Sequence, residues 1–425
     1  MSPDSSTERD RAADKATLLG WIERDRDRLV GFLSDFVKAA SPNPPGDTLL
    51  AAAHVRGFLD VEKLPYRVIS PHPQMPNLVA SFEGKEAGKH LVLNGHIDVF
   101  PSGDPAHWTH GPWSGDIAEG HVWGRGAADM KCGTTASIFT YAYLSRMRER
   151  LKGRLTLTVV SDEETFGPWG ARYLLEHHPE THGDCCLNGE PSDPLTVRFG
   201  EKGPLWIAFT VRTKGAHGGY PHLTESASQI AAALIGDLYQ LARTKVPPPG
   251  NVGGVLDRSA AIIERALGEG ATEVMRSITL NIGVIQGGIK VNMIPAECRF
   301  EADFRLPVGI GKDGLIEKVR HLLERYPQVT MEELNYSPSN WCDPEHEMVA
   351  IIQRNVKAMK GFEPAPIVGL GGTDTRLWRY RDVPAYVYGP SPKTMGKTDE
   401  RVAIEEFLHI VRTHTLSAYD YLTRD

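Results

Sequence analysis

Two short apolar runs, LVLNGHIDVF at 91–100 and RLTLTVVSDEE at 154–164, each end in polar residues. Runs rich in β-branched residues with no polar alternation are strands buried on both faces, and such strands belong to sheets covered by helices. Between them, GAADMKCGTTASIFTYAYLSRMRERL opens with small residues and becomes helical. Strand, helix and strand in this order specify an α/β layer with a mostly parallel sheet. In such a sheet, chemistry gathers at the carboxyl ends of the strands. His96, Asp98, Glu163 and Glu164 lie just there.

The flanks extend the same layer. KATLLGWIERDRDRLVGFLSDFVKAAS at 15–41 has helical apolar spacing and stops at SPNPPGD. The middle of the chain differs. PLWIAFTVRTKG alternates like a half-exposed strand, and ESASQIAAALIGDLYQLART is helical. SITLNIGVIQGG and AECRFEADFRLP read as two more strands, DGLIEKVRHLLERY as a helix and VTMEEL as a strand. That order predicts a small α+β domain inserted in the α/β one. A chain of 425 residues is also too long for one ordinary core. The expected division is residues 1–197, 198–337 and 338–425, the first and last parts forming one domain. The α/β pattern resumes with the helical EMVAIIQRNVKAMKG and the strand-like AYVYG.

A formal charge of −7 argues against a nucleic-acid partner, which would call for a basic surface. The N-terminus is charged and no apolar segment reaches membrane-spanning length. The five cysteines include no CxxC pair, so they read as reduced, packed thiols of a cytoplasmic protein. A nucleophilic role for Cys132 is the minor reading.

A single carboxylate or imidazole at a strand end is commonly a cap. Here they recur at successive strand ends: His96 and Asp98, then Asp129, then Glu163 and Glu164, then Glu190. Buried carboxylates repel one another unless a cation or a proton intervenes. One imidazole with several carboxylates suits zinc, manganese or iron(II) rather than a thiolate-preferring metal. His96 would bind through one ring nitrogen while Asp98 fixes the hydrogen on the other. A carboxylate outside the ligand set, such as Glu163, would take a proton from metal-activated water and hand it to the leaving group.

Taken together, these segments resemble the metallopeptidase family of acetylornithine deacetylase, succinyl-diaminopimelate desuccinylase, aminoacylase and glutamate carboxypeptidase. The matching pieces are GHIDVFP, GRGAADMKCG, SDEETFG, NGEPSD, KGAHGGYPH, VNMIPAEC, ADFRLP and GGTDTR, in the family's order over 90–376. The resemblance implies a catalytic domain with an inserted lid or dimerisation domain. It implies His96 and Glu190 at a first metal, Asp129 bridging two metals and Glu164 at the second. Asp98 would be the partner of His96, and Glu163 the general base. His217 would be the lid histidine that reaches into a partner subunit's site and stabilises the oxyanion, which implies a homodimer or higher homo-oligomer. Asn292 would face the substrate. Arg305 and Arg376 would clamp a substrate carboxylate bidentately, with a structural ion pair as the alternative for each.

One position departs from the pattern. The family ends its metal site with a histidine four residues before an acidic residue. Aligning that residue with Glu400 puts Gly396 where the histidine belongs, and no histidine occurs in SPKTMGKTDERVAIEEF, 391–407. Either a second metal survives on Asp129, Glu164 and water, or one divalent ion, manganese or zinc, is held by His96, Asp129 and Glu190. The single ion is the expectation. With one Lewis acid, an unactivated amide is a harder substrate than an electron-poor carbon. The expected activity is metal-dependent hydrolysis of a C–N bond in a small carboxylate-bearing substrate, in a branch resembling 5-nitroanthranilate aminohydrolase, which releases ammonia. The alternatives are a di-metal N-acyl-amino-acid deacylase or carboxypeptidase, and a catalytically inactive member that only binds small molecules.

Overall fold

The computed structural model describes residues 3–424. The chain forms two compact units. The first runs to Phe199 and resumes over Cys342–Ile367 and from Thr373 onward; the second is Gly200–Trp341 with Val368–Gly372.

The first unit is built on a mixed sheet. Its strands follow the order Tyr66–His72, Met75–Glu83, Lys152–Val160, Glu86–His96, Cys185–Asn188, Ala385–Val387 and Thr196–Glu201. The four middle strands of this run are parallel, and the flanking pairs are antiparallel. Helices Lys131–Arg146 and Ile404–Leu422 pack on the sheet. Val92, Val160 and Cys186 pack with Leu174, Leu175, Leu377 and Trp378 of the short helices Ala171–His177 and Thr375–Arg379. With helices on both sides, Leu91, Val92 and Leu93 in sequence are all fully buried. This is why the strand reads as an unbroken apolar run.

The expected helix over 15–41 is two helices, Pro3–Arg24 and Arg26–Lys38, meeting at Asp25. Residues 23–28 are all charged, so no apolar anchor ties the halves into one seam. The helix Leu49–Val61, the hairpin Tyr66–His72 with Met75–Glu83, and the helix Val252–Leu267 went unread in the sequence. The C-terminal helix starts at Ile404. A short strand, Arg401–Ala403, comes first and pairs antiparallel with His121–Trp123.

The second unit is an antiparallel sheet in the order Thr279–Gly287, Glu297–Leu306, Gly203–Arg212 and Val329–Tyr336. Helices Ala227–Leu241 and Lys312–Leu323 contribute Leu234, Leu238 and Leu315 to a core with Leu205, Ile207, Phe209, Phe300 and Phe304. Burial along Glu297–Leu306 alternates residue by residue, as a half-covered strand requires.

Two histidines of the C-terminal helix are sealed in the first unit. His409 Nε2 meets the Tyr388 hydroxyl at 2.7 Å, and His414 Nε2 meets the Tyr388 carbonyl at 2.7 Å. Burial pushes both down from 6.5 to about 4. Below pH 6.5 the unfolded chain therefore takes up protons that the folded chain refuses, and stability falls between pH 6.5 and 4. The expected slope is about 1.4 kcal/mol per pH unit for each histidine. Denaturant midpoints at pH 7.5, 6.0 and 5.0 should fall accordingly, and His409→Gln should flatten the decline; an unchanged slope would refute the assignment.

Candidate metal centre

Four chain segments deliver the site. His96 is the last residue of Glu86–His96, and Asp129 stands in the loop before Lys131–Arg146. Glu163 and Glu164 follow Lys152–Val160, and Glu190 follows Cys185–Asn188. Two glycines let these segments meet. A Cβ on Gly133 would lie 2.0 Å from the Gly189 carbonyl oxygen, and one on Gly95 would lie 2.5 Å from Thr134 Oγ1. Any side chain at either place would push the Asp129 loop away from His96 and Glu190.

The imidazole and two carboxylates converge. His96 Nε2 lies 3.1 Å from Glu190 Oε1 and 3.4 Å from Asp129 Oδ1. One ligand atom from each of the three falls within 4.8 Å of the others. His96 Nε2 and Asp129 Oδ1 are buried yet make no hydrogen bond. Buried polar atoms without hydrogen-bond partners are costly, and a divalent cation would satisfy both of these together. The donor set, one nitrogen and two oxygens, fits manganese or zinc.

Protonation reflects the crowding. Burial pushes Glu190 up to about 7, with the Asp129 charge adding to it. Glu163 is raised well above the usual carboxylate range by burial, then by Asp374, and Glu164 by burial, then by Asp129. Burial would lower His96, but its contacts with Glu190 and Asp129 carry it well above its ordinary value.

Asp98 meets the His96 ring through its main chain. His96 Nδ1 is 2.8 Å from the Asp98 main-chain carbonyl and 3.6 Å from its carboxylate. The carboxylate instead accepts the main-chain N–H groups of Glu163 (3.2 Å) and Glu164 (3.0 Å) and the Asn43 amide (2.9 Å). One residue thus sets the histidine tautomer and the turn that carries both glutamates.

Glu163 lies outside the three-residue cluster, and Arg376 Nη1 is 3.2 Å from its Oε1. Arg376 is buried and also donates to the Thr373 carbonyl at 2.6 Å. Glu164 is likewise outside the cluster, with a buried Oε1 that has no partner. Cys132 is buried with its thiol pushed far up by desolvation, which leaves no nucleophile there. At Gly396 the backbone is left-handed, φ +70°, and a Cβ would meet open space.

Several residues of the site went unread. Asp374, buried with an unpartnered Oδ2 and raised to about 6 by burial, was hidden within GGTDTR. Asn43 was passed over as part of a helix stop, yet it bridges Asp98 and Asp162. Arg125 and Glu400 form a buried ion pair whose halves are 275 residues apart, a separation no local spacing can encode.

Three expected residues stand in the second unit. His217 is exposed on a two-residue ribbon, paired in register with Met293, and its Nδ1 accepts the Gly219 N–H. Asn292 is its near neighbour, exposed, with its carbonyl accepting from Gly218 at 2.8 Å. Arg305 directs Nε and Nη2 to Asp303 Oδ2, at 3.1 and 2.9 Å.

The parallel-centred α/β sheet carries His96 and Glu190 at its strand ends, and the loop before Lys131–Arg146 adds Asp129, a set that can hold a metal ion. Residues 92–419 match the profile described as peptidase family M20/M25/M40, and the chain belongs to that family. It is 30% identical over 361 residues to a succinyl-diaminopimelate desuccinylase of Cereibacter sphaeroides, covering 82% of this chain and 88% of that one. The fold is similar to that of an M20 family metallo-carboxypeptidase from Sulfolobus solfataricus, with a TM-score of 0.75, 17% identity, and 93% and 99% of the two chains covered. It is also similar to a dinuclear metal-binding peptidase of the same family from Bacillus subtilis, with a TM-score of 0.65, 16% identity, and 94% and 99% covered.

Proposed function

We propose that this family member hydrolyses a C–N bond of a small carboxylate-bearing substrate with one divalent ion, manganese or zinc, held by His96, Asp129 and Glu190. The observation that carries the reading is position 396, a left-handed glycine where the family resemblance would put a histidine. When bound, the ion supplies Lewis acidity and makes water a better nucleophile near neutral pH. Glu163 takes the proton of the attacking water and returns it to the departing nitrogen. Asp98 holds His96 and the Glu163 turn in place. Arg376, beside Glu163, or Arg305 clamps the substrate carboxylate, and Asn292 faces the substrate. His217 of a second copy stabilises the negative charge that develops on the substrate.

With no second Lewis acid, the reading favours an electron-poor aromatic carbon. Water then displaces an amino group, as in a 5-nitroanthranilate-type aminohydrolase, and the products are a phenol and ammonia. The homo-oligomer is supported by the apolar residues on and beside the edge strand Thr279–Gly287, where Ile285, Ile289 and Val291 are exposed. Five unpaired cysteines support a reducing, cytoplasmic setting. Among the described residues no helix is long and apolar enough to cross a membrane.

Glu164 favours a second reading, a two-ion deacylase or carboxypeptidase, because its unpartnered Oε1 is buried and Asp129 acts on its carboxyl. The desuccinylase and the dinuclear peptidase among the similar proteins support it. Metal analysis of purified protein separates the two, with about one equivalent per chain expected. Gly396→His is expected to raise that to two, since a side chain there enters open space, and its left-handed backbone costs only about 1 kcal/mol. An unchanged stoichiometry in the variant would remove position 396 as the cause. A screen of N-acyl amino acids against amino-nitrobenzoates, read by ammonia release, decides the substrate class.

A further inference from the structure

Glu400 was only a landmark for alignment in the sequence, but its surroundings give it work. It is 1% exposed, and the short strand Arg401–Ala403 pairs with His121–Trp123 and so brings it against the next residues, 124–130. The Gly124 N–H donates to the Glu400 carbonyl at 2.8 Å. Side-chain Oε1 accepts the main-chain N–H groups of Gly126 (3.1 Å), Ala128 (3.0 Å) and Asp129 itself (3.0 Å). Oε2 accepts from Arg125 Nη1, and Arg125 Nη2 reaches the Gly396 carbonyl at 3.2 Å. Three N–H groups of one short loop, converging on one oxygen, make a concave anion-binding nest, here filled from within the chain.

We propose that Glu400 is a positioning residue: it folds the 124–130 loop around its carboxylate and so aims the Asp129 carboxylate at His96 and Glu190. The inference rests on the reading of Asp129 as a ligand. Asp129's own main-chain N–H is one of the three donors, so a shift of the nest moves the ligand directly. It also explains why the glutamate stands here although the histidine four residues earlier is absent. Its partner is the loop that carries Asp129, and its hold does not depend on a side chain at 396. Arg125 joins the two, since one guanidinium touches both the Glu400 carboxylate and the carbonyl of Gly396.

The test uses the full chain, stripped with a chelator and titrated with manganese and with zinc in a calorimeter. Glu400→Gln keeps the shape and one acceptor but turns an amide toward Arg125. In folded protein it should weaken metal binding about ten- to a hundredfold, the range for residues that orient a ligand. A purely structural role would lower the unfolding midpoint and leave the affinity of the folded fraction alone. A folded variant that binds within about twofold of wild type, inside the scatter of such titrations, therefore overturns the proposal. Should Glu400→Gln not fold, Arg125→Lys is read instead: it keeps the charge but breaks the fork, with about a tenfold weakening expected and wild-type affinity as the overturning result. A wild-type chain that binds neither metal overturns the metal-site reading and this one together. Wild-type binding with unaffected variants overturns this one alone.

Discussion

Glu163→Gln is expected to lower turnover about a thousandfold while leaving metal content at the wild-type level. The reasons are geometric. Glu163 is outside the cluster of His96, Asp129 and Glu190, so an amide there takes no ligand from the ion. Its main-chain N–H remains on Asp98 Oδ1, and a glutamine Oε1 still accepts from Arg376 Nη1. What is removed is the ionisable group, with both its negative charge and its ability to carry a proton. The same change deletes one of several crowded buried carboxyls, since burial first, and then Asp374 and Glu190, push the Glu163 carboxyl upward. The metal-free variant should therefore be at least as stable as the wild type. The measurements are kcat with a responsive substrate, metal by elemental analysis and the apo unfolding midpoint. Turnover within tenfold of wild type would remove Glu163 from the proton transfer. A metal-free variant that loses activity would show that Glu163 serves the ion instead.

How much of this was legible before folding depended on the range over which each signal acts. His96 and Glu190 each close or follow a strand-like run, and a run of that kind signals its own end locally, whereas Asp129, expected at a strand end, stands on the loop before a helix. The inserted unit could be read because strand alternation and helical spacing are periodic over windows of about ten residues. Glu400 carries no local mark of its role, for its partners at 124–129 meet it only through the pairing of Arg401–Ala403 with His121–Trp123. The same holds for Asn43, whose amide reaches Asp98 across 55 positions. Asp98 faces the His96 ring with its main-chain carbonyl rather than its carboxylate. Spacing placed the residue near the His96 ring, but which oxygen faces Nδ1 depends on the turn after the strand. The glycines could have been read more closely: GH at 95–96, CG at 132–133 and GE at 189–190 each set a ligand-bearing segment beside a residue with no side chain.

His96→Ala is expected to abolish metal binding and the stabilisation that comes with it. His96 is the one nitrogen donor of the cluster, and without it an ion would face Asp129 and Glu190 alone. Two carboxylates with no fixed third ligand make a weak site for manganese or zinc. The loss extends to the empty protein. In the absence of metal, contacts with Glu190 and Asp129 outweigh the effect of burial and raise the His96 imidazole well above its ordinary value. Alanine removes that stabilisation, which is fully present below pH 6.5 and fades as pH rises, so the substitution should cost the apo protein more at pH 6 than at pH 8. A ligand at a hundred times its Kd stabilises by about 2.7 kcal/mol. The wild-type midpoint should rise by that order on adding manganese or zinc, and the His96→Ala midpoint should not move. A variant that still gains stability with metal would mean the ion sits on a different set, with Glu164 as the first residue to test.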